Sequence, residues 1–412
     1  MNPKVAASRS GDVAVLTIDN PPVNALSAAV RAALADAIEE AVANDAVRAI
    51  VLAAAGKNFS AGADIREFDL PAKPPHLVDV VQRIEDAPKP VIAALQGNVL
   101  GGGCELALGC HYRVAAPGTR AGHPEVNVGL MAGDGGTQRL PRLIGFDTTL
   151  ALMLDGKPRA VEAPEMAGFV DEIAGGDLLA SAIAFARNIV AADASPRRTR
   201  SLPLLAAAPE VFERYAQSAR KRRGEPAPAK IVAAVHRATE MPFPEAVARA
   251  RADLLALRDS PESRGLRHAF FAEREAAKLP SEITAADPRE MCRAGVVGAG
   301  LMGQGIAIAL LDAGLAVTLV ETTEAALARA RERIEAHYEA AVGKGRVAAE
   351  DAAKALARLD GARTIEALAD VDCVIEAVFE DIEVKRGVFE TLDRVAKPEA
   401  LLATNTSYLD VA

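Results

Sequence analysis

The chain has 412 residues, 50% of them hydrophobic and 25% charged, with 47 Lys plus Arg against 56 Asp plus Glu, a net charge of −9. That balance excludes a disordered chain, a collagen-like chain and a small disulfide scaffold, and it gives no general attraction to nucleic acid or anionic membranes. The length predicts two to four domains at roughly 100–200 residues each.

Residues 1–11 are polar and carry no signal-peptide core. Residues 13–19 read as a strand, and 27–44 as an Ala-rich helix with Ser27 as N-cap. Residues 49–53 and 90–95 read as buried strands, with a glycine-containing loop, 56–64, between them. Gly101-Gly102-Gly103 opens a helix, and 112–115 form another strand. After Gly129 the pattern is mostly helical to about Lys278, although 191–228 is Pro- and Arg-rich and its helices have no clear bounds. The basic run Arg220-Lys221-Arg222-Arg223 reads as a solvated helix end, with an anion contact as the alternative. Residues 279–288 are a polar connector, and a new strand starts at Arg293. The most apolar stretch, 294–320, contains six Gly, Gln304 and Asp312, so it reads as strand, turn, helix and strand, not as a membrane span. Residues 401–407 read as a last buried strand ending in polar residues. Four Cys without a CxxC, and no His at zinc-ligand spacing, predict no structural metal or disulfide frame and a reducing, cytoplasmic setting.

Three segments before residue 130 carry chemistry: 59–65, 97–105 and 122–126. A Gly triplet at a helix start leaves unpaired N–H groups at the positive end of the helix dipole, an arrangement suited to an oxyanion. Glu105 lies one turn inside this helix, and Glu125 follows Pro124 in a constrained loop. Two carboxylates beside an oxyanion site can add water across a double bond, one positioning the water and the other moving the proton. Glycine triplets also serve close helix–strand packing, so spacing alone leaves a structural role open. His123 reads as shaping the loop beside Glu125, with tuning of Glu125 as the alternative, Cys104 as a small buried side chain rather than a nucleophile, and Asp64 and Asp134 as Asx-type loop-fixing residues rather than acids or bases.

These segments, with Pro22-Val23-Asn24-Ala25-Leu26-Ser27 and Gly133-Asp134-Gly135-Gly136-Thr137-Gln138-Arg139-Leu140, resemble the enoyl-CoA hydratase/isomerase (crotonase) family in order and spacing. The resemblance implies a ββα spiral followed by helices, with the amides of Ala63 and Gly102 holding a coenzyme A thioester oxygen and with Glu105 and Glu125 as the catalytic pair. It also implies hydration of a 2-enoyl thioester, with isomerisation of 3-enoyl thioesters through Glu125 as a companion activity.

Gly298, Gly300 and Gly303 form a GxGxxG between a strand and an apolar helix, and Glu321 ends the next strand 18 residues later, which predicts a Rossmann-like NAD site with Glu321 on the ribose. Tight packing without a ligand is the alternative. From 293 onward the order of elements resembles the 3-hydroxyacyl-CoA dehydrogenase family. That match implies cofactor contacts at Ala377, Glu380 and Lys385, and contact of Ser407, near Asn405, with substrate and cofactor. The family's proton-abstracting His and its completing helical domain have no counterpart here, since His337 is the one His after residue 290. The expectation is therefore an α/β chain whose dehydrogenase half is incomplete and inactive. The domains expected are a hydratase domain at 1–258, a connecting helix and linker at 259–292, and a partial NAD-binding domain at 293–412. Hydratase followed by dehydrogenase resembles the multifunctional, peroxisomal-type enzymes of fatty-acid β-oxidation. The partner implied is an acyl-CoA, with self-association open. The alternatives are a non-catalytic NAD- or acyl-CoA-binding scaffold and an isomerase-only family member.

Overall fold

In a computed structural model of the chain, residues 4–206, 208–280, 283 and 287–410 are described. Part of the connector, and the last two residues, lie outside them. The chain divides into two units, one ending at Lys278 and one starting at Leu279.

The strands of the first unit are β1 (Val5–Ser10), β2 (Val13–Ile18), β3 (Ala49–Ala54), β4 (Val91–Leu95), β5 (Asn98–Leu100), β6 (Tyr112–Ala115), β7 (Arg120–Gly122), β8 (Arg159–Ala160) and β9 (Glu172–Ile173). Six of them form a sheet in the order β1-β2-β3-β4-β6-β9, and β5-β7-β8 form a second, small sheet. Apart from the β1–β2 pair the large sheet is parallel. Its central strands are covered on both faces, which is why Ala49–Ala54 and Val91–Leu95 are continuous apolar runs without polar alternation. One face buries Leu34 and Ile38 of helix Ala28–Ala43 and Val80 and Ile84 of helix Leu77–Asp86. The other face packs on Ala182 and Ala186 of helix Leu178–Ala191. Ser27 caps the first helix, its Oγ accepting from the Val30 N–H at 3.4 Å.

Three elements of this unit escape the sequence pattern. β1 buries only Val5, so it lacks the period-2 signal of a half-buried strand. β5 and β7 are three residues each, too short to show a period. Helix Leu77–Asp86 follows a proline-rich loop, and its buried Glu85 breaks the apolar stripe. Glu85 is accommodated by Arg139, whose Nη2 donates to it at 2.6 Å, and by the Arg200 N–H at 2.8 Å. Between 191 and 228, where the sequence left the bounds open, lie helices Pro209–Lys221 and the start of Pro226–His236. Helix Pro261–Ala276 belongs to the first unit.

The second unit is a parallel sheet of β10 (Arg293–Val297), β11 (Ala316–Val320), β12 (Leu359–Ala362), β13 (Cys373–Glu376) and β14 (Leu401–Thr404), in the order β12-β11-β10-β13-β14. Counting within the unit this is 3-2-1-4-5, the doubly wound order whose crevice lies where the sheet reverses direction, beside its first strand. β14 was expected to be buried. It is an edge strand with Leu401 53% exposed, because an apolar run does not reveal that a strand has a neighbour on one side only.

Candidate active site

The chain after β5 turns at Gly101 (φ +52) into helix Gly102–Gly109, and the first helical bond runs from the Glu105 N–H to Gly101 O at 3.0 Å. The amide of Gly102 precedes that bond and is left open at the helix entrance. The loop carrying Ala63 is pressed against this entrance: a Cβ on Gly62 (φ +97) would sit 2.9 Å from Leu100 O and 3.2 Å from the Gly102 nitrogen. A Cβ on Gly102 would lie 3.3 Å from the Ala63 nitrogen. The Ala63 and Gly102 backbones thus meet at the helix entrance, and glycine is what lets them approach this closely. Asp64 fixes the far end of the loop, its Oδ1 accepting from the Arg66 N–H at 3.1 Å, the local turn expected of it.

Both glutamates, Glu105 and Glu125, line the same cavity as Ala63 and Gly102, a space of about 1260 Å³ in the first unit. Glu105 is 2% exposed, and its Oε1 accepts from the backbone N–H groups of Asp134 at 2.7 Å and Gly136 at 2.8 Å. Burial, with Asp134 and Glu125 close by, pushes its carboxyl up to about 8, against the pull of His123 and the Gly136 amide. Glu125 starts from the short helix Pro124–Val128. Its carboxylate rests on Gly101, where a Cβ would be 3.1 Å from Oε1. His123 is buried and places Nδ1 3.2 Å from the same Oε1. Burial works against its imidazolium, but Cys104 and Glu125 outweigh burial and hold it well above the usual imidazole range. Cys104 is buried, as expected.

Asp134 corrects the sequence reading. Its side chain makes no Asx turn; it pairs with Arg251 of helix Phe243–Arg258, 117 residues away. The same helix lends Leu254, Leu255 and Arg258 to the cavity wall, and helix Pro261–Ala276 lends Phe270 and Phe271. No local signal marks these residues, since their role depends on where the helices pack. The basic run 220–223 is absent from the cavity lining and makes ion pairs of its own helix end, Arg220 to Glu213 at 3.9 Å and Arg222 to Glu225 at 2.8 Å.

In the second unit the three glycines play three separate parts. Gly298 (φ +101) turns tightly, and a Cβ there would lie 2.6 Å from Ala377 O. Gly300 has open space where its Cβ would be. A Cβ on Gly303 would fall 1.8 Å from Gly298 O, so it permits close helix–strand packing. Turn, open approach for a pyrophosphate, and packing are the three roles of a dinucleotide fingerprint. Glu321 at the end of β11 accepts from the Ala299 N–H at 3.1 Å and the Thr322 N–H at 2.8 Å, and these bonds hold its carboxyl below the usual range although burial opposes them. Glu380 accepts from Lys385 at 3.2 Å, from Thr406 and from the Ser407 N–H at 3.3 Å, which gathers three of the residues expected at the cofactor. Lys385 is itself buried and donates to both oxygens of Glu376, at 2.9 and 3.0 Å. His337 lies on helix Glu324–Gly343, its ring edge-to-face with Tyr338.

Comparison with known proteins decides the family. Residues 8–203 match the model described as enoyl-CoA hydratase/isomerase, and residues 293–412 match 3-hydroxyacyl-CoA dehydrogenase, NAD binding domain. The first unit thus carries the match to the one family and the second unit the match to the other, in that order. It is 40% identical over 406 residues to the peroxisomal bifunctional enzyme of Danio rerio, covering 97% of this chain and 56% of that protein. Against the human enzyme of the same name the identity is 37% over 411 residues, with the same coverage. Against a peroxisomal fatty acid beta-oxidation multifunctional protein of Oryza sativa subsp. japonica it is 36% over 414 residues, covering 97% and 57%. The chain thus spans little more than half the length of these relatives. Among the described residues no helix is long and apolar enough to cross a membrane, and no cluster of side chains could hold a metal ion.

Proposed function

We propose that the first unit adds water to the double bond of a 2-trans-enoyl-CoA, giving a 3-hydroxyacyl-CoA in fatty-acid β-oxidation. The observation that carries this is the meeting of two open amides, Ala63 and Gly102, with two carboxyl groups, Glu105 and Glu125, in one cavity. The thioester oxygen accepts from the two amides, which stabilise the enolate that forms when carbon 3 is attacked. With Glu105 pushed up to about 8, the resting site holds a proton on that carboxyl at neutral pH. Water held between Glu105 and Glu125 delivers its oxygen to carbon 3, and a proton reaches carbon 2 through Glu125, so one H and one OH are added in all. A pure binding scaffold has no use for a buried, neutral Glu105, which costs stability.

For the second unit we propose NAD as ligand. Gly298, Gly300 and Gly303 shape the pyrophosphate approach, Glu321 meets the ribose, and Ala377, Glu380, Lys385 and Ser407 lie around the nicotinamide side. When bound, NAD accepts hydride from a hydroxyl carbon. Glu321 in place of a basic residue favours NAD over its 2′-phosphate. A cytoplasmic location remains the proposal here; the relatives named above are peroxisomal by name, and cell fractionation decides between the two.

The test is loss of enoyl-thioester absorbance on mixing the chain with 2-trans-enoyl-CoA. Hydration is expected in the wild type and absent in Glu105→Ala/Glu125→Ala. Equal rates in the two would sink the hydratase reading. Supplying 3-enoyl-CoA and seeing conjugation without hydration would favour the isomerase instead.

A further inference from the structure

We infer that His123 is a positioning residue for Glu125, holding its carboxylate in place through Oε1. The inference rests on the hydratase reading above. His123 sits between β7 and the helix Pro124–Val128, is 1% exposed, and forms no part of the cavity wall, whereas Glu125 does. Its Nδ1 lies 3.2 Å from Glu125 Oε1. A carboxylate only accepts, so Nδ1 carries the hydrogen and donates. Gly101 supplies the space on which the carboxylate lies, and His123 supplies its direction.

Two unpaired atoms support this. Among the described residues Glu125 Oε2 and His123 Nε2 are buried side-chain atoms without a hydrogen-bond partner. Oε2 is thus the oxygen of this cavity-lining carboxylate that the protein leaves without a hydrogen bond, so His123 is its side-chain anchor. Nε2, on a ring that also meets Cys104, is a buried polar atom that an apolar side chain of similar size would not have to desolvate, so the imidazole is not there merely to fill space.

The ionisable groups around the ring are Cys104 and Glu125, with Glu105 and Asp134 beyond them. Cys104 and Glu125 favour the imidazolium, so His123 brings a positive charge as well as a hydrogen bond to Glu125. His123→Gln therefore keeps a donor but loses the charge, and His123→Leu loses both.

Rates of enoyl-CoA hydration are measured against pH for wild type, His123→Gln and His123→Leu. His123→Leu is expected to lower kcat about 10–100-fold, the scale of a misplaced catalytic group, with KM within about twofold. His123→Gln is expected to recover part of kcat. In both variants the acid limb of kcat/KM is expected to move to higher pH, because the cation beside the carboxylate is gone. Unchanged kcat and an unchanged pH profile in both variants would overturn the inference while leaving the hydratase reading intact. Wild type without hydration would sink that reading instead, and the His123 imidazole titration, followed by NMR in wild type and Glu125→Gln, then decides on its own. Titration at lower pH in Glu125→Gln supports the pairing; identical titration in the two overturns it.

Discussion

The amide of Gly136 lies 2.8 Å from Glu105 Oε1, and a Cβ on Gly136 would come within 3.1 Å of that same oxygen and 2.9 Å of His123 Cε1. One glycine therefore both grips the first glutamate and leaves room for the ring behind the second. Gly136→Ala is expected to push the two groups apart and to lower kcat by about 100-fold, the scale of roughly 1 Å of misplacement, with a smaller change in KM. Steady-state hydration kinetics check this, with circular dichroism to confirm folding.

Glu105 gives stability a pH dependence. With its carboxyl pushed up to about 8 in the fold, the folded chain binds a proton that the unfolded chain releases near the ordinary value of 4.5. Between those two values the folded state holds more protons, so stability falls as pH rises, and the contribution present below about 4.5 is lost by about 8. Glu105→Gln removes this slope. Its Tm is expected to match the wild type near pH 5 and to exceed it by several degrees at pH 8.5, read by differential scanning calorimetry. Hydration should be abolished at both pH values. A parallel displacement of the two Tm curves would contradict the assigned proton.

Gly62→Ala tests the two amides. The added methyl meets Leu100 O at 2.9 Å and the Gly102 nitrogen at 3.2 Å, at a residue whose φ of +97 already strains any side chain. Separating the amides from one another is expected to cost about 10²–10³ in turnover, the price of one lost oxyanion donor. The binding of a saturated acyl-CoA, which develops no enolate, should change far less; isothermal calorimetry measures it.

In the second unit, Gly300→Ala and Gly303→Ala are expected to part company. At Gly300 the methyl enters open space, so Tm should hold while NAD affinity drops by at least tenfold in calorimetry. At Gly303 the methyl would fall 1.8 Å from Gly298 O, so the helix must leave the sheet and the unit should lose stability before any ligand is added.

The buried pair Glu85–Arg139 offers a stability test away from the cavity lining. Arg139→Ala leaves Glu85, fully buried, with the Arg200 contacts as its remaining side-chain hydrogen bond and ion pair among the described residues. The expected loss is about 3–5 kcal/mol, the usual consequence of removing one partner of a buried pair. Urea denaturation checks it, and Arg139→Lys should recover only part because it cannot fork between Glu85 and Asp134 O.

What the sequence determined by itself is local. Ser27, Gly101-Gly102-Gly103, Glu105, Pro124-Glu125 and the GxGxxG at 298–303 are legible because caps, glycine turns and apolar runs act within a few residues, and β3, β4 and β6 are legible because buried parallel strands are continuous apolar runs. Tertiary structure decided the rest. Asp134 reads as a turn residue until helix Phe243–Arg258 brings Arg251 to it. His123 reads as a loop former until its ring is seen 3.2 Å from Glu125. Glu85 carries no local signal at all; its burial follows from Arg139 and the 199–201 turn that enclose it. Each of these is a charge whose meaning depends on a partner brought near by packing, and the energy of a buried charge is set by that partner and by the exclusion of water rather than by its neighbours in the chain.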